Sequence, residues 1–182
     1  MNALNQIEVG WLHGLHDAVG CAFLDFVMPL ITSLSDAGIF WIILAVILLF
    51  FRKTRRAGMT MGLALIFGLL LCNLTLKPLT ARIRPYIFDP SIQLIVGPES
   101  EFSVPSGHTI SAFEGAVGLW IHHRKAGWAC IVLAALIGFS RLYLMVHYPT
   151  DVIAGMLLGI VLAFMASWCV NRILEKTKIP AI

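Results

Sequence analysis

The chain has 182 residues, of which 59% are hydrophobic and 13% are charged, and its mean hydropathy is +0.87. A soluble domain of this size has no interior large enough for so much apolar surface, so the composition excludes an ordinary soluble protein. The formal net charge of +3 is modest and unevenly placed, which argues against nucleic-acid binding. We therefore expect one membrane-embedded domain over residues 1–182.

The apolar segments predict an all-α, polytopic membrane protein with six transmembrane helices plus an N-terminal interfacial helix. Residues 2–17 mix apolar and polar side chains, and Trp11 suits the headgroup level of a bilayer. Six apolar segments follow, whose lengths approach the roughly 20 residues that cross a membrane. They cover residues 18–35, 38–51, 57–76, 106–121, 126–146 and 149–170. Residues 77–105 contain several prolines and cannot form one continuous helix.

The distribution of basic residues predicts how these spans are oriented. With six spans, nine of the 13 Lys and Arg residues fall on one side: Arg52, Lys53, Arg55, Arg56, Arg124, Lys125, Arg172, Lys176 and Lys178. Cytoplasmic loops are enriched in Lys and Arg, so we expect this side, with both termini, to be cytoplasmic. The other four are Lys77, Arg82, Arg84 and Arg141. Anion binding is one reason to keep them on the disfavoured, extracytoplasmic side.

Three short polar clusters interrupt the apolar sequence, and each lies at the end of an apolar segment. They are Lys77-x6-Arg84-Pro85, Pro105-Ser106-Gly107-His108 and Ser140-Arg141-x5-His147-x3-Asp151. Because all three fall on the same predicted side, they can meet at one membrane face. Each cluster alone is typical of an interfacial side chain or of an ordinary helix start. Together they supply three cations, two imidazoles and a carboxylate, which suits phosphate transfer through a histidine without a metal.

The first group of these residues is suited to holding a phosphate. Lys77, Arg84 and Arg141 can neutralise its charge, and the arginine forks match phosphate oxygens in pairs. Ser106 is a favourable N-cap for the helix that follows, and Gly107 allows a ligand to approach the backbone. The free amides and the positive dipole end of that helix would complete an anion site.

The second group is suited to moving the phosphoryl group and protons. His108 is placed to protonate a departing alkoxide. His147 and Asp151 are four residues apart, which on a helical turn places them on one face. Asp151 can hold one imidazole nitrogen protonated and leave the other free to attack phosphorus. Spacing alone does not decide which histidine attacks.

The three clusters carry a resemblance. The chain resembles the type 2 phosphatidic acid phosphatase superfamily of integral-membrane lipid phosphatases, whose signature is KxxxxxxRP, PSGH and SRxxxxxHxxxD; all three parts are intact here. The resemblance implies hydrolysis through a phosphohistidine, with no metal and no cofactor. It implies that His147 is the nucleophile, that Asp151 orients it, and that His108 is the general acid that later activates water. It also implies five phosphate-binding residues: Lys77, Arg84, Ser106, Gly107 and Arg141.

Within that family, the compact chain and its short 86–104 loop are most similar to bacterial undecaprenyl-diphosphate phosphatases. This implies conversion of undecaprenyl diphosphate to undecaprenyl phosphate at the outer face of a bacterial inner membrane. Phosphatidylglycerophosphate or phosphatidic acid phosphatase activity is the alternative. A non-catalytic membrane protein that binds or transports lipids is an alternative of another class, although binding alone would not require His108, His147 and Asp151.

Further residues carry weaker expectations. Glu114 lies in a predicted span, where an unpaired charge is costly, so we expect it to be protonated, to contact a neighbouring helix or to line the substrate entrance. Asp25 is expected near the membrane interface, with a functional role as the alternative. Gly58-x3-Gly62 and Gly155-x3-Gly159 have a spacing that favours close helix packing. That packing is expected within the chain, with a homodimer as the alternative. The expected partners are the lipid bilayer and a lipid phosphate, with no nucleic acid.

Overall fold

The computed structural model describes residues 2–176, apart from the side chains of residues 2 and 73. Every regular element in that range is helical, which confirms the all-α prediction. The α-helices are α1 (Asn2–Val19), α2 (Ala22–Ser33), α3 (Ile39–Phe50), α4 (Arg55–Gly68), α5 (Lys77–Thr80), α6 (Pro85–Phe88), α7 (Gly107–His122), α8 (Arg124–Tyr143) and α9 (Pro149–Lys176). Lys178, which contributed to the predicted orientation, lies outside the described residues.

Helix α7 forms the centre of the bundle and contacts α4, α8 and α9. It is buried over most of its length because small residues alternate with Phe113 and Val117 along it. Trp41, Met61 and Ile137 from the surrounding helices complete this core. Between helices in a bilayer, such close packing replaces the expulsion of water as the main source of stability.

Fewer helices than predicted qualify as membrane spans by length and composition. Three helical stretches in the described range are long and apolar enough to cross a membrane: Arg55–Phe88, Arg124–Tyr143 and Pro149–Lys176. The pair α2 and α3 can form a fourth, bent by 41° at residues 34–38. Six spans plus an N-terminal helix are therefore not confirmed. Each helix of the bent pair has 12 residues, or about 18 Å, too short to cross a bilayer core alone.

The first helix is longer than predicted and lies at the same end of the bundle as the polar clusters. One face of α1 buries Val9 and Leu12, while Trp11 on the other face is 70% exposed. Its Asn5 accepts a hydrogen bond from Arg82, 2.9 Å from Nε. Helix α1 therefore lies at the end of the bundle that carries the clusters, so the predicted placement of the N-terminus at the opposite end is not confirmed. The hydropathy pattern of residues 2–17 gives no indication of these polar contacts.

The segment between α4 and α7 is broken, as its prolines predicted. A π-helical stretch, Leu69–Leu76, continues α4 and leads directly into α5. Helix α5 ends at Ala81, whose φ of +44° is left-handed. Extended backbone at Arg84 then leads into the single turn of α6, which Pro85 begins. The rest of the segment up to Ser106 is irregular and folds over the end of the bundle.

Three of the four glycines with this spacing, Gly58, Gly155 and Gly159, pack closely inside the chain as expected, whereas a Cβ atom at Gly62 would meet nothing within 4 Å. A Cβ atom at Gly155 would lie 2.8 Å from the Ser106 carbonyl oxygen, and one at Gly159 would lie 2.7 Å from that of Ile110. Helix α9 therefore approaches α7 as closely as two backbones allow. Gly58 of α4 is held equally close to the Ala45 carbonyl of α3, at 2.7 Å.

This close approach predicts that Gly159→Ala destabilises the protein. The added methyl group must push α9 away from α7, at a cost of about 1–3 kcal/mol. We expect a lower midpoint of thermal unfolding for the detergent-solubilised variant. Gly62→Ala is the matched control, because a Cβ atom there meets nothing within 4 Å. Equal midpoints for the two variants would contradict the packing account.

Candidate active site

The three polar clusters meet at one end of the bundle. Lys77 begins α5, Arg84 precedes α6, His108 lies in the first turn of α7, and Arg141 lies in the last turn of α8. His147 follows in the loop between α8 and α9, and Asp151 lies in the first turn of α9. The side chain of His108 is 18% exposed, and the others are almost completely buried.

Two buried arginines converge on one carboxylate. Arg84 Nη2 lies 2.6 Å from Glu99 Oε2, and Arg141 Nη2 donates a short hydrogen bond to Glu99 Oε1. Lys77 Nζ pairs in the same way with Glu101. Each of the three predicted phosphate-binding cations thus holds a carboxylate from the loop that precedes α7. We call Lys77, Arg84 and Arg141 the anion site.

The carboxylate of Glu99 is held in its charged form. Burial acts to raise its pKa, but the positive charges of Arg141 and Arg84 outweigh burial and lower the pKa to about 2. At neutral pH an entering anion must therefore exchange with an ionised carboxylate. Sequence reasoning missed this role: Glu99 is one of several acidic residues in an irregular loop, and it has no regular spacing to its partners.

His147 presents different nitrogens to the two sides of the site. Its Nε2 lies 3.2 Å from Arg84 Nη1 and faces the anion site, while its Nδ1 lies 3.4 Å from Asp151 Oδ2. Burial, followed by the charges of Arg141 and Arg84, lowers the pKa of His147 well below its ordinary value of 6.5. The imidazole is therefore neutral, and a proton on Nδ1 leaves the Nε2 lone pair toward the anion site.

The pairing of His147 with Asp151 is present, but its geometry differs from the expected helical face. Helix α9 begins at Pro149, so His147 lies in the loop before it. The carboxylate bends back over the start of its own helix, where Asp151 Oδ2 accepts a hydrogen bond from the Tyr148 amide at 3.0 Å. Asp151 is thus held beside the histidine by loop geometry.

The start of α7 lies beside the anion site. Ser106 occupies the N-cap position without a side-chain capping bond, and its Oγ accepts a hydrogen bond from Thr109 at 3.0 Å. A Cβ atom at Gly107 would lie 3.6 Å from Lys77 Nζ, so the backbone closely approaches that cation. His108 Nε2 lies 2.8 Å from Asp36 Oδ1, a carboxylate from the segment between α2 and α3.

A cavity of about 440 Å³ opens beside these residues. Lys77, Glu99 and His108 line its polar end, and Ile42 and Leu69 line its apolar wall. Its form suits a molecule with an anionic head and an apolar body. Glu114 of α7 also lines the cavity. Its carboxyl group faces Gly68 of α4, so it lies between these two helices at the edge of the cavity.

Two further polar residues complete the surroundings of Asp151. Ser103 Oγ donates a short hydrogen bond to Asp151 Oδ2, and Arg82 Nη1 donates to Asp151 Oδ1 at 2.7 Å. The sequence indicates Arg82 only as a basic residue on the disfavoured side of the membrane, and no sequence pattern indicates Ser103. Among the described residues, no cluster of three or more His, Cys, Asp or Glu side chains has the arrangement of a metal site.

The arrangement of the anion site predicts that Glu99→Gln strengthens phosphate binding. The amide cannot compete as an anion for Arg84 and Arg141, so the dissociation constant of inorganic phosphate should fall about tenfold. Isothermal titration of the purified protein measures this constant. Ser91→Ala, in the exposed part of the same segment, should leave the constant unchanged. Weaker binding by Glu99→Gln would show that the carboxylate supports the site instead of competing for it.

Comparisons with known proteins identify the family of this chain. The family model of the PAP2 superfamily matches residues 57–175. Undecaprenyl-diphosphatase of Sulfolobus acidocaldarius is 35% identical over 127 residues, which cover 69% of this chain and only 61% of that protein. Undecaprenyl-diphosphatase BcrC of Bacillus subtilis is 28% identical over 156 residues, covering 85% and 78% of the two chains.

A solved structure extends the match over nearly the whole chain. The crystal structure of a transmembrane PAP2-type phosphatidylglycerolphosphate phosphatase from Bacillus subtilis superimposes with a TM-score of 0.75 at 30% identity. The match covers 95% of this chain and 89% of that one. With the family model matching well over half of its residues, this chain belongs to the PAP2 superfamily.

Proposed function

We propose that the protein is a metal-independent lipid phosphatase that works through a phosphohistidine on His147. One observation carries the proposal: Nε2 of His147 lies 3.2 Å from the buried Arg84 in the anion site, while Nδ1 of the same ring lies 3.4 Å from the buried carboxylate of Asp151. A neutral imidazole with its lone pair directed at an anion site is the arrangement that attack on phosphorus requires. The names of the relatives, which are lipid phosphatases, support the same chemistry.

In the first step, the substrate phosphate replaces Glu99 between Arg84 and Arg141. Nε2 of His147 forms a bond to phosphorus as the bond from phosphorus to the leaving oxygen breaks. His108 donates a proton to that oxygen, and its neighbour Asp36, 2.8 Å from Nε2, fixes the orientation of the ring. The negative charge of Asp151 stabilises the phosphorylated imidazole, and the three cations stabilise the charge on the phosphoryl oxygens.

In the second step, the neutral His108 accepts a proton from water. The resulting hydroxide forms a bond to phosphorus while the bond to His147 Nε2 breaks, which restores the histidine and releases inorganic phosphate. Each proton that His108 donates in the first step is recovered in the second. The chain's own side chains therefore complete the cycle.

We propose undecaprenyl diphosphate as the substrate. Two of the relatives described above are named for this activity, and the apolar wall of the cavity suits a long hydrocarbon chain. The structural relative is named for phosphatidylglycerolphosphate, so that lipid, with phosphatidic acid, is the second candidate. All of these lipids have an anionic phosphate attached to an apolar body. The residues that line the cavity contact only these two features.

We propose that the polar end of the bundle faces the extracytoplasmic side of a bacterial cell membrane. Basic residues gather at the opposite end, in the loop after α3 and at the start of α8. The N-terminal helix, which has no Lys or Arg, lies at the polar end. We count α2 and α3 as one bent span and α7 as a span enclosed by its neighbours. The chain then crosses the membrane five times, and the C-terminal end of α9 is cytoplasmic.

The catalytic proposal predicts that His147→Ala abolishes phosphate release. Without the nucleophile, turnover of undecaprenyl diphosphate in detergent should fall by at least about 10³-fold. The dissociation constant of inorganic phosphate should change far less, because the anion site is intact. Full activity of the wild type in EDTA is the accompanying expectation. Release that survives in the variant would remove His147 as nucleophile, and wild-type binding without release would support a lipid-binding protein.

The orientation predicts which introduced cysteines an impermeant thiol reagent can reach. In a background without the four native cysteines, Ser91→Cys and Gln6→Cys should react from outside intact cells. Lys53→Cys, in the opposite loop, should react only after the membrane is opened. All three positions are exposed in the structure, so access differs only by side. If Lys53→Cys reacts from outside intact cells, the proposed orientation is wrong. If Ser91→Cys reacts from outside and Gln6→Cys does not, α1 lies on the cytoplasmic side and the number of spans is even.

A further inference from the structure

Arg82 is the fourth cation at the polar end, and the catalytic scheme does not use it. Its side chain is 6% exposed. A charge that is so deeply buried is costly unless its hydrogen-bonding groups are satisfied. The partners that satisfy it come from two elements that are far apart in the sequence, α1 and the start of α9.

Each edge of the Arg82 guanidinium has a partner. Toward α9, Nη1 donates to Asp151 Oδ1 and to Thr150 Oγ1, both at 2.7 Å. Toward α1, Nε and Nη2 donate to Asn5 Oδ1 at 2.9 and 2.7 Å, and Nη2 also pairs with Glu8. The flat face of the guanidinium lies 3.8 Å from the centre of the Tyr148 ring.

These contacts separate Arg82 from the anion site. Arg84 and Arg141 both reach Glu99, which holds the position expected for phosphate, whereas the hydrogen bonds of Arg82 are directed to Asp151 and α1. Arg82 therefore acts on the reacting atoms only through Asp151. Its position is that of a group that sets the geometry of the carboxylate, not that of a phosphate ligand.

The two oxygens of Asp151 have divided tasks. Oδ1 is bound by Arg82, while Oδ2 faces His147 Nδ1 and accepts hydrogen bonds from Ser103 Oγ and the Tyr148 amide. The side chain is completely buried, so its negative charge requires a nearby cation. Arg82 supplies that cation at Oδ1 and leaves Oδ2 turned toward the histidine.

Helix α1 fixes Arg82 in turn. Glu8 is buried and pairs with Arg82, and its Oε1 accepts a hydrogen bond from the Thr150 amide at 2.7 Å. Its Oε2 also accepts from Thr150 Oγ1 at 3.0 Å. A single carboxylate of α1 thus ties the arginine to the first turn of α9, beside Asp151.

We propose that Arg82 is a positioning residue for the His147–Asp151 pair, and that Asn5 and Glu8 make α1 part of the catalytic apparatus. This inference rests on the proposed function. It predicts a loss of turnover without a loss of phosphate affinity, because the anion site does not contain Arg82.

The first experiment separates turnover from binding in Arg82→Gln. We expect kcat to fall roughly 100-fold, while KM and the inhibition constant of inorganic phosphate change less than about threefold. Arg82→Lys keeps the charge and should recover part of kcat. Arg84→Gln is the matched control, since it removes a cation of the anion site and should raise the inhibition constant. If Arg82→Gln weakens phosphate binding as much as Arg84→Gln does, or keeps its kcat, the inference is wrong.

The second experiment tests α1 by a double-mutant cycle. Glu8→Gln should lower kcat roughly tenfold in the wild type and have almost no further effect in Arg82→Gln, because both act through one contact. Gln6→Ala, on the exposed side of α1, should leave kcat unchanged. Independent, additive losses in kcat for Glu8→Gln and Arg82→Gln would overturn the role of α1.

A third measurement needs no substrate, so it separates this inference from the proposed function. The ring ¹⁵N shifts of His147, assigned by comparison with His147→Ala, should show the proton on Nδ1 in the wild type. Arg82→Gln should shift this signal toward a mixture of tautomers, and Gln6→Ala should not. An unchanged signal in Arg82→Gln would refute the positioning role. If the wild type releases no phosphate from either candidate lipid, the proposed function fails while this result still stands.

Discussion

The structure depends on placing an opposite charge beside every charge that it buries at the polar end of the bundle. Arg84 and Arg141 are almost completely buried and face each other, so their repulsion and their loss of water must be offset. Glu99 lies between them and supplies that compensation. Arg82 does the same for Asp151. Because these partners come from an irregular loop and from α1, neither segment can be regarded as a mere connection to the helical core.

The sequence predicted that the three polar clusters meet at one end of the bundle, and it did so for a physical reason. Helices that cross a bilayer bring their ends to one of only two faces, so polar residues at alternate ends of apolar segments must lie close together. With α7 and α8 each crossing the membrane, this constraint is enough to bring Lys77, His108 and Asp151 to one face. The association of His147 with Asp151 was also predicted, but for the wrong reason. The spacing of four residues predicts that both side chains lie on one face of a helix, whereas α9 begins only after His147.

The features that the sequence did not reveal are long-range or directional. Glu99 and Arg141 are 42 residues apart, and Glu8 and Arg82 are 74 apart, so no local spacing links them. Hydropathy detects apolar segments but not whether the chain reverses between them. The segments around residues 34–38 look like two spans in the sequence, yet their axes differ by only 41°. The same limitation concealed the end of the bundle at which α1 lies.

Occupation of the anion site by carboxylates bears on which lipids the proposed enzyme can bind. Binding is an exchange, so its free energy is the difference between the interactions of the incoming phosphate and those of Glu99 and Glu101 with the same cations. A phosphate monoester carries about two negative charges and presents three oxygens, which exceeds what one carboxylate offers. A phosphodiester headgroup carries one charge and presents two free oxygens, so it gains little by displacing Glu99. The abundant phosphodiester lipids of the membrane would thereby be disfavoured, and terminal phosphates and diphosphates favoured, without any contact to the rest of the headgroup.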